Sequence, residues 1–348
     1  MAIKYSTEEA NLTLAAQVIR DLWARNLVGH DLQSAASKLA RGYVNNQAGL
    51  GSVVLLTGDG GAAAHGAQGL HPRRFQMGTR VVRAIGLADY VVDAEHRTLG
   101  PALMLLRRSN RIGAERFDLT YGLPNMKAEP VFNRAGMKSL GALTRFAKPL
   151  GARERLTRYM PGPVARSIAP VVDGALGVGD LVRDAGAEVR LECSPVSWDD
   201  PLFDDLWDRR PPTLLLAERT ATMLRWRFES EAATRWQVCA GRDRGGNVMG
   251  YVVWRSTGIL TTVGDFFTSA PDTLTAPLLL AFSRFARRAG MQVISADFFG
   301  WSAVAAQLRA AGMVVRERRI SVFVGSQTPA EFSSPERWYL TDFDNDAD

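Results

Sequence analysis

Apolar residues recur at helical spacing between Glu8 and Asn26, including Leu12, Leu14, Val18, Ile19 and Leu22. A second helical stretch is expected over residues 31–44. The run Ser52-Val53-Val54-Leu55-Leu56-Thr57 is β-rich, and Gly58-Asp59-Gly60-Gly61 after it predicts a hairpin turn. Val81 to Val92 predicts a strand buried by its Val, Ile and Leu content. Pro101 to Arg111 then predicts a helix and Phe117 to Gly122 a strand. A further helix is expected to begin near Glu129, because Pro130 lacks an N–H, and to end at Gly136, a residue suited to a left-handed cap. Two helices, three strands, then helix, strand, helix, strand make a mixed α/β domain over residues 1–150.

Beyond residue 150 the pattern breaks. Gly151, Pro161-Gly162-Pro163, Pro170, Gly174, Gly177 and Gly179 punctuate a segment that also carries Arg153, Arg155, Arg158 and Arg166. Residues 151–186 therefore predict a linker of short helices packed between domains. Residues 187–325 echo the first half. Arg97-Thr98-Leu99-Gly100-Pro101-Ala102-Leu103 precedes Asp272-Thr273-Leu274-Thr275-Ala276-Pro277-Leu278 by 175 positions, and Arg134-Ala135-Gly136-Met137 precedes Ala310-Ala311-Gly312-Met313 by 176. Two matches at nearly one spacing predict a duplicated domain. Residues 326–348 form a tail ending in Asp342-Phe343-Asp344-Asn345-Asp346-Ala347-Asp348. Its plain reading is disorder; the sharper one is that Trp338, Tyr339 and Leu340 dock it so that its carboxylates attract a cationic amine.

Composition narrows the function without choosing it. Of 348 residues, 46% are hydrophobic and 22% charged, the proportions of a soluble globular protein. No apolar run is long enough for a membrane span, so no stable membrane insertion is expected. Met1-Ala2-Ile3-Lys4-Tyr5 lacks the apolar core of a secretion signal, and Cys193 and Cys239 are too few for a disulfide framework, so a cytoplasmic location is expected. The net charge of +6 is scattered and forms no stripe interleaved with aromatics, which argues against a nucleic-acid partner. His65 and His71 have no Cys or carboxylate at ligand spacing, so no metal is assigned. His96 reads as a solvated loop residue and His30 as a turn residue. The tryptophans of the second half, Trp207, Trp226, Trp236 and Trp254, read as core. Nothing in the sequence fixes an oligomeric state.

The informative chemistry lies in Tyr90-Val91-Val92-Asp93-Ala94-Glu95-His96-Arg97-Thr98-Leu99-Gly100-Pro101-Ala102. A strand runs into a turn that opens a helix. The first amides of a helix lack partners within it, and its dipole favours an anion there. Gly100 presents backbone without a Cβ in the way, and Pro101 suits the first turn. This resembles the Arg/Gln-x-x-Gly-x-Gly/Ala signature of the Gcn5-related N-acetyltransferases (GNATs), met by Arg97, Gly100 and Ala102. The family's later Asn-x-x-Ala-x-x-x-Tyr-x-x-x-Gly-Phe is met in spacing by Asn125, Ala128, Phe132, Gly136 and Met137. Leu224-Arg225-Trp226-Arg227-Phe228 also resembles a segment in the second half of some tandem GNAT-like proteins.

The resemblance implies two tandem GNAT-like mixed-sheet domains, the second degenerate, and an acyl-coenzyme A, acetyl-CoA or another, as cofactor. It implies that the backbone at Val91 and Val92 pairs with the pantetheine arm, that Arg97, Thr98, Leu99, Gly100, Pro101 and Ala102 hold the pyrophosphate, and that Asn125 meets the arm near the thioester. The acyl group would pass to an amine, on a small molecule or an amino sugar. The family's usual tyrosine, often the acid for the leaving thiolate, is Phe132, and a phenyl ring donates no proton. Tyr121 is the nearest substitute and Asp89 the candidate base. In the second half Asp272 and Thr275 replace Arg97 and Gly100, so that copy is expected to shape the acceptor pocket or the domain interface. Alternatives are a non-catalytic acyl-CoA-binding module, or an acyltransferase fed by acyl carrier protein or aminoacyl-tRNA.

Overall fold

The computed structural model describes residues 3–58, 63–157, 159–187, 189–229 and 236–345. Asp59, Gly60 and Gly61 of the expected hairpin turn, and Asp346 to Asp348 of the tail, lie outside the described residues. The first half runs β1 (Tyr5–Glu9), α1 (Ala16–Asn26), α2 (Leu32–Leu39) with a π-helical extension over Ala40–Val44, β2 (Ser52–Gly58), β3 (Ala63–Met77), β4 (Arg80–Val92), α3 (Leu99–Arg116), β5 (Leu119–Gly122), α4 (Glu129–Arg134) and β6 (Lys138–Pro149). After α5 (Arg153–Thr157) and α6 (Gly162–Ala185), the second half runs β7 (Glu192–Pro195), α7 (Leu202–Asp208), β8 (Leu215–Ala217), α8 (Ala221–Phe228), β9 (Gln237–Arg242), β10 (Val248–Thr257), β11 (Leu260–Thr268), α9 (Pro271–Arg288), β12 (Val293–Gly300), α10 (Ser302–Ala310), β13 (Val314–Val324) and β14 (Trp338–Leu340).

Three differences from the sequence pattern have physical causes. The helix expected from Glu8 starts only at Ala16, because residues 5–9 form an edge strand on β2 whose alternating half-buried and exposed positions carry little apolar signal. The linker is not made of short pieces alone, since α6 continues for 24 residues through Pro170. Its Asp180 and Asp184 are held from both halves: Lys148 of β6 and Arg287 of α9 reach Asp180, and Arg284 of α9 reaches Asp184. The duplicated register also slips at one point. Asp272 and Gly100 are each the second residue of an 18-residue helix, so Asp272, not Thr275, stands at the place of Gly100. Further on, Gly136 and Gly312 both end a helix at positive φ, +83° and +82°, as the shared Ala-Gly-Met predicts.

Among the described residues one sheet runs β1-β2-β3-β4-β5-β13-β6-β12-β11-β10-β9-β7, and β8 and β14 join it off this path. The halves exchange their closing strands. β13 of the second half pairs with β5 of the first, and β6 of the first pairs with β12 of the second. The antiparallel pair β13–β6 forms the centre.

Each half contains one parallel pair that soon diverges. β4 and β5 pair only from Ala84↔Leu119 to Leu87↔Gly122, and β11 and β12 only from Leu260↔Val293 to Val263↔Ala296. In the second half the chain's own end fills the divergence. β14 pairs with β12 on one side and β8 on the other, and Tyr339 donates from its hydroxyl to the Phe266 carbonyl at 2.6 Å. Below it Arg219, with no exposed side-chain surface, pairs with Asp265 at 3.1 Å and Asp344 at 2.9 Å, while Thr341 and Tyr251 also donate to Asp265. The expectation of a disordered tail fails for Asp342 to Asn345. Asp344 is buried against an arginine and is not offered to a ligand. Among the described residues no helix is long and apolar enough to cross a membrane.

Asp344→Ala leaves Arg219 half-paired in the core. The variant should lose about 3–5 kcal/mol of unfolding free energy in chemical denaturation, and unchanged stability would show that the pair does not hold the segment.

Candidate functional site

The divergence in the first half is open, and it ends at a helix start. β4 runs on to Val92 and a 3₁₀ turn over Ala94–His96 leads to Thr98, in extended conformation, before α3 begins at Leu99. Arg97 to Gly100 are exposed, and a Cβ built on Gly100 would meet nothing within 4 Å. The opening amides of α3, at Leu99 and Gly100, thus face open space, with Pro101 needing no acceptor. Arg97 does not reach outward. Its Nε and Nη2 donate to the Val92 carbonyl at 3.1 and 2.9 Å, and Nη2 also to Asn26 at 3.2 Å. On the opposite side of the strand Asp93 N–H donates to His65 O on β3. By strand alternation the Val92 groups face the divergence, where Arg97 occupies the carbonyl. Arg25 grips Asp93 with two hydrogen bonds of 2.8 Å, and Asn26 adds a third, tying this turn to the end of α1. Burial works against the charge on Asp93, but these donors outweigh it and hold its carboxyl below the usual range. His96 turns inward to the Tyr5 hydroxyl and stacks on His65.

Upstream, β4 carries a bulge. Ala67 faces Val91 and Gly69 faces Ala88, so Gln68 alone opposes Asp89 and Tyr90. Gln68 donates to the Ala88 carbonyl at 2.6 Å and so satisfies a group that the bulge displaces. Asp89 adopts φ +49°, the one positive value outside glycine among the described residues. Its carboxylate receives the Tyr43 hydroxyl at 2.6 Å and the Lys38 ammonium at 3.0 Å. Tyr43 reaches it because Gly69 has no side chain. A Cβ there would overlap the Tyr43 hydroxyl.

Two cavities meet at Asp89. The larger, about 290 Å³, lies between the open part of β4 and the exit of β5 and is lined by Leu87, Asp89, Tyr90, Leu123, Pro124, Asn125 and Phe132, with Leu27, Val28 and His30 from the α1–α2 turn. The smaller, about 30 Å³, is lined by Arg41, Tyr43, His71, Arg73, Trp226 and Arg227. Lys38, Ala88, Asp89 and Asn345 border both.

Of the residues singled out from the sequence, Asp89, Asn125 and Phe132 line the larger cavity, whereas Val91 and Val92, farther along β4, and Arg97 to Ala102, at the start of α3, do not. Val91 and Val92 lie buried on β4, paired with Ala67 and Gly66. The Asn125 side-chain oxygen accepts the amides of Lys127 and Ala128 and so fixes the turn into α4. Phe132 closes the wall of the larger cavity against Phe323 and the bare Gly122 backbone. Tyr121 lies in the core. Its ring is 3% exposed among Phe75 and Trp338 and lines neither cavity, so it is not placed as an acid. Tyr90, to which the sequence assigned no role, lines the larger cavity instead. The Tyr90 hydroxyl is buried, has no protein partner among the described residues and belongs to a side chain lining the larger cavity. Burial pushes its phenol well up, with Arg97 pulling weakly the other way, so it remains a protonated donor. Lys38, Tyr43 and Arg73 also had no functional signal, since each gains its place only through long-range packing, while Trp226 and Asn345 were noted as parts of a family-like segment and of the tail.

The second half keeps the bulge but not the chemistry. Val253 faces Asp265 and Trp254 faces Val263, so Gly264 is the extra residue, and Trp236 and Phe228 cover it. Its own contribution to the site comes from α8 and the chain end, as Trp226, Arg227 and Asn345. Trp226 donates to the Arg41 carbonyl and stacks on His71.

No protein-family model matches the sequence, and no curated protein does. Solved structures do match the fold. A conserved Enterococcus faecalis V583 protein, named as a probable N-acyltransferase, superposes with a TM-score of 0.62 at 11% identity, covering 93% of this chain and 73% of that one. A GCN5-related N-acetyltransferase from Anabaena variabilis gives 0.60 at 14% identity over 92% of this chain and 72% of its own. Saccharomyces cerevisiae N-myristoyltransferase, solved with myristoyl-CoA, gives 0.53 at 10% over 92% and 79%. The chain therefore has the GNAT fold in a tandem arrangement.

Gly69→Ala drives a methyl group into Tyr43 and should destabilise the protein by about 1–3 kcal/mol. Denaturation measures this, and a neutral substitution would mean that Tyr43 is not seated against the β3 backbone.

Proposed function

We propose that the first half binds an acyl-coenzyme A and transfers its acyl group to an amine, as an N-acyltransferase. The observation that carries the reading is a parallel strand pair that separates after Leu87 and Gly122, with a cavity of about 290 Å³ lined by both strands' continuations and a helix start without a side-chain cap where β4 leads into α3. An anion fits there because unpaired amides and the helix dipole both favour it. Leu99 and Gly100 would supply N–H groups to the pyrophosphate, with Thr98, Pro101 and Ala102 shaping the bend and Arg97 bracing it through Val92. The unpaired edge of β4 beyond Leu87 would take the pantetheine arm. The structural neighbours, an N-acetyltransferase, an N-myristoyltransferase and a probable N-acyltransferase, support the same class of reaction.

The thioester supplies an activated carbonyl; the chain's own groups manage protons around it. Asp89 stands at the meeting of both cavities, where an entering amine would lose a proton to its carboxylate. Tyr43 and Lys38 fix the rotamer of that carboxylate. Tyr90 would hold its hydroxyl proton toward the departing sulfur, the role for which Phe132 has no group. The nitrogen–carbon bond forms as the carbon–sulfur bond breaks, and the thiolate takes one proton.

Two substitutions separate binding from chemistry. Gly100→Glu places a carboxylate in the bend and should raise the Kd for acetyl-CoA at least about 100-fold, the loss of two charge-assisted hydrogen bonds. Asp89→Asn should bind acetyl-CoA normally and lose about 10²–10⁴ in kcat. Calorimetry and thiol release across a panel of amines measure both. Wild-type affinity in the first variant would refute the cradle. Tight binding with no turnover of any amine by the unmodified protein would favour a non-catalytic acyl-CoA-binding module.

A further inference from the structure

Arg73 is not accounted for by acyl-CoA binding. It lies on β3, 3% exposed, with its guanidinium 5.5 Å from the Trp226 ring centre and 5.2 Å from that of Phe343. Nη2 donates to the Phe343 carbonyl at 3.0 Å. Nε and Nη1 are buried and have no protein acceptor among the described residues. Leaving the donors of a buried charge unsatisfied is among the more expensive arrangements in a protein, and arginine cannot escape it by losing a proton. The site that Arg73 lines is itself cationic. Among the described residues its lining carries Lys38, Arg41, Arg73 and Arg227 and the carboxylate of Asp89, which Lys38 pairs. Arg227 is turned to the carbonyls of Phe343 and Asn345.

We propose that this smaller cavity binds an anionic group of the acceptor, a carboxylate, on Arg73, so that the substrate is an amine carrying an acid a few bonds away. The inference rests on Asp89 being the place where the amine reacts. Size and position support it. A cavity of about 30 Å³ has room for a group of a few atoms. Because Asp89 borders both cavities, one molecule can present its nitrogen to Asp89 and its acid to Arg73. A neutral amino sugar would leave Nε and Nη1 without acceptors. Selectivity of this kind is strong because the wrong ligand leaves a buried donor unpaired.

The test uses the full chain and matched pairs, each α-amino acid against its carboxamide, with glucosamine as the neutral amine. Binding is read by calorimetry without acyl-CoA, and transfer by thiol release with acetyl-CoA. The expected result is an amino acid bound about 10- to 100-fold more tightly than its amide, the same preference in kcat/KM, and loss of both in Arg73→Met with acetyl-CoA affinity unchanged. Equal binding of acid and amide by the unmodified protein would overturn the proposal, whether or not the variant folds. So would a preference that persists in Arg73→Met. Asp346 and Asp348 follow Asn345 in the sequence, so a chain ending at Asn345 is the control; acid selectivity seen only there would assign the site to the chain's own carboxylates and also overturn the proposal. Acid-selective binding that depends on Arg73, without thioester cleavage for any acceptor, would uphold the anion site and count against Asp89 as the reaction centre.

Discussion

Parallel strands that separate leave backbone donors and acceptors facing a gap, and those groups must be satisfied by something. This protein meets that constraint twice and in two ways. After Val263 and Ala296 the gap is closed from within, by β14 and the buried charge cluster beneath it. After Leu87 and Gly122 it is left open beside an uncapped helix start. The asymmetry between the halves follows from that difference more than from any single substitution, and the exchange of β6 and β13 keeps the two gaps in a fixed relation across one continuous sheet.

The filled half is also what completes the open one. The segment that closes the second gap continues to Asn345, which borders both cavities at Asp89. The helix ahead of β9 delivers Trp226 and Arg227 to the same place, and Phe343 covers one face of Arg73. A duplicated domain has thus become a wall for its partner, with an aromatic row from Trp23 through Tyr43 and His71 to Trp226 crossing between them.

What the sequence made legible was local. Gly100 and Pro101 after a strand announce a helix start whatever surrounds them, and Gly136 and Gly312 mark matching caps because only a left-handed residue ends a helix in that way. Contacts across the fold were silent. Tyr43, Lys38 and Arg73 carry no motif, and they meet Asp89 or its cavity only after α2 packs on β3 and β4. Tyr121 looked like an acid from its place near the strand end, yet its ring packs in the core. The acidic tail read as solvated because its partner, Arg219, lies far away in sequence, and a buried ion pair has no local signature. β1 escaped notice for the opposite reason, as an exposed edge needs few apolar residues.

The central claim is that only the first gap is available to a phosphorylated cofactor. Its most direct measurement is a calorimetric titration of the full chain with acetyl-CoA, paired with amide hydrogen exchange in the free and saturated states. The account predicts one molecule per chain, with new protection at the amides of Thr98, Leu99, Gly100 and Ala102 and none at residues 272–275. Two molecules per chain, or protection at the start of α9, would contradict it.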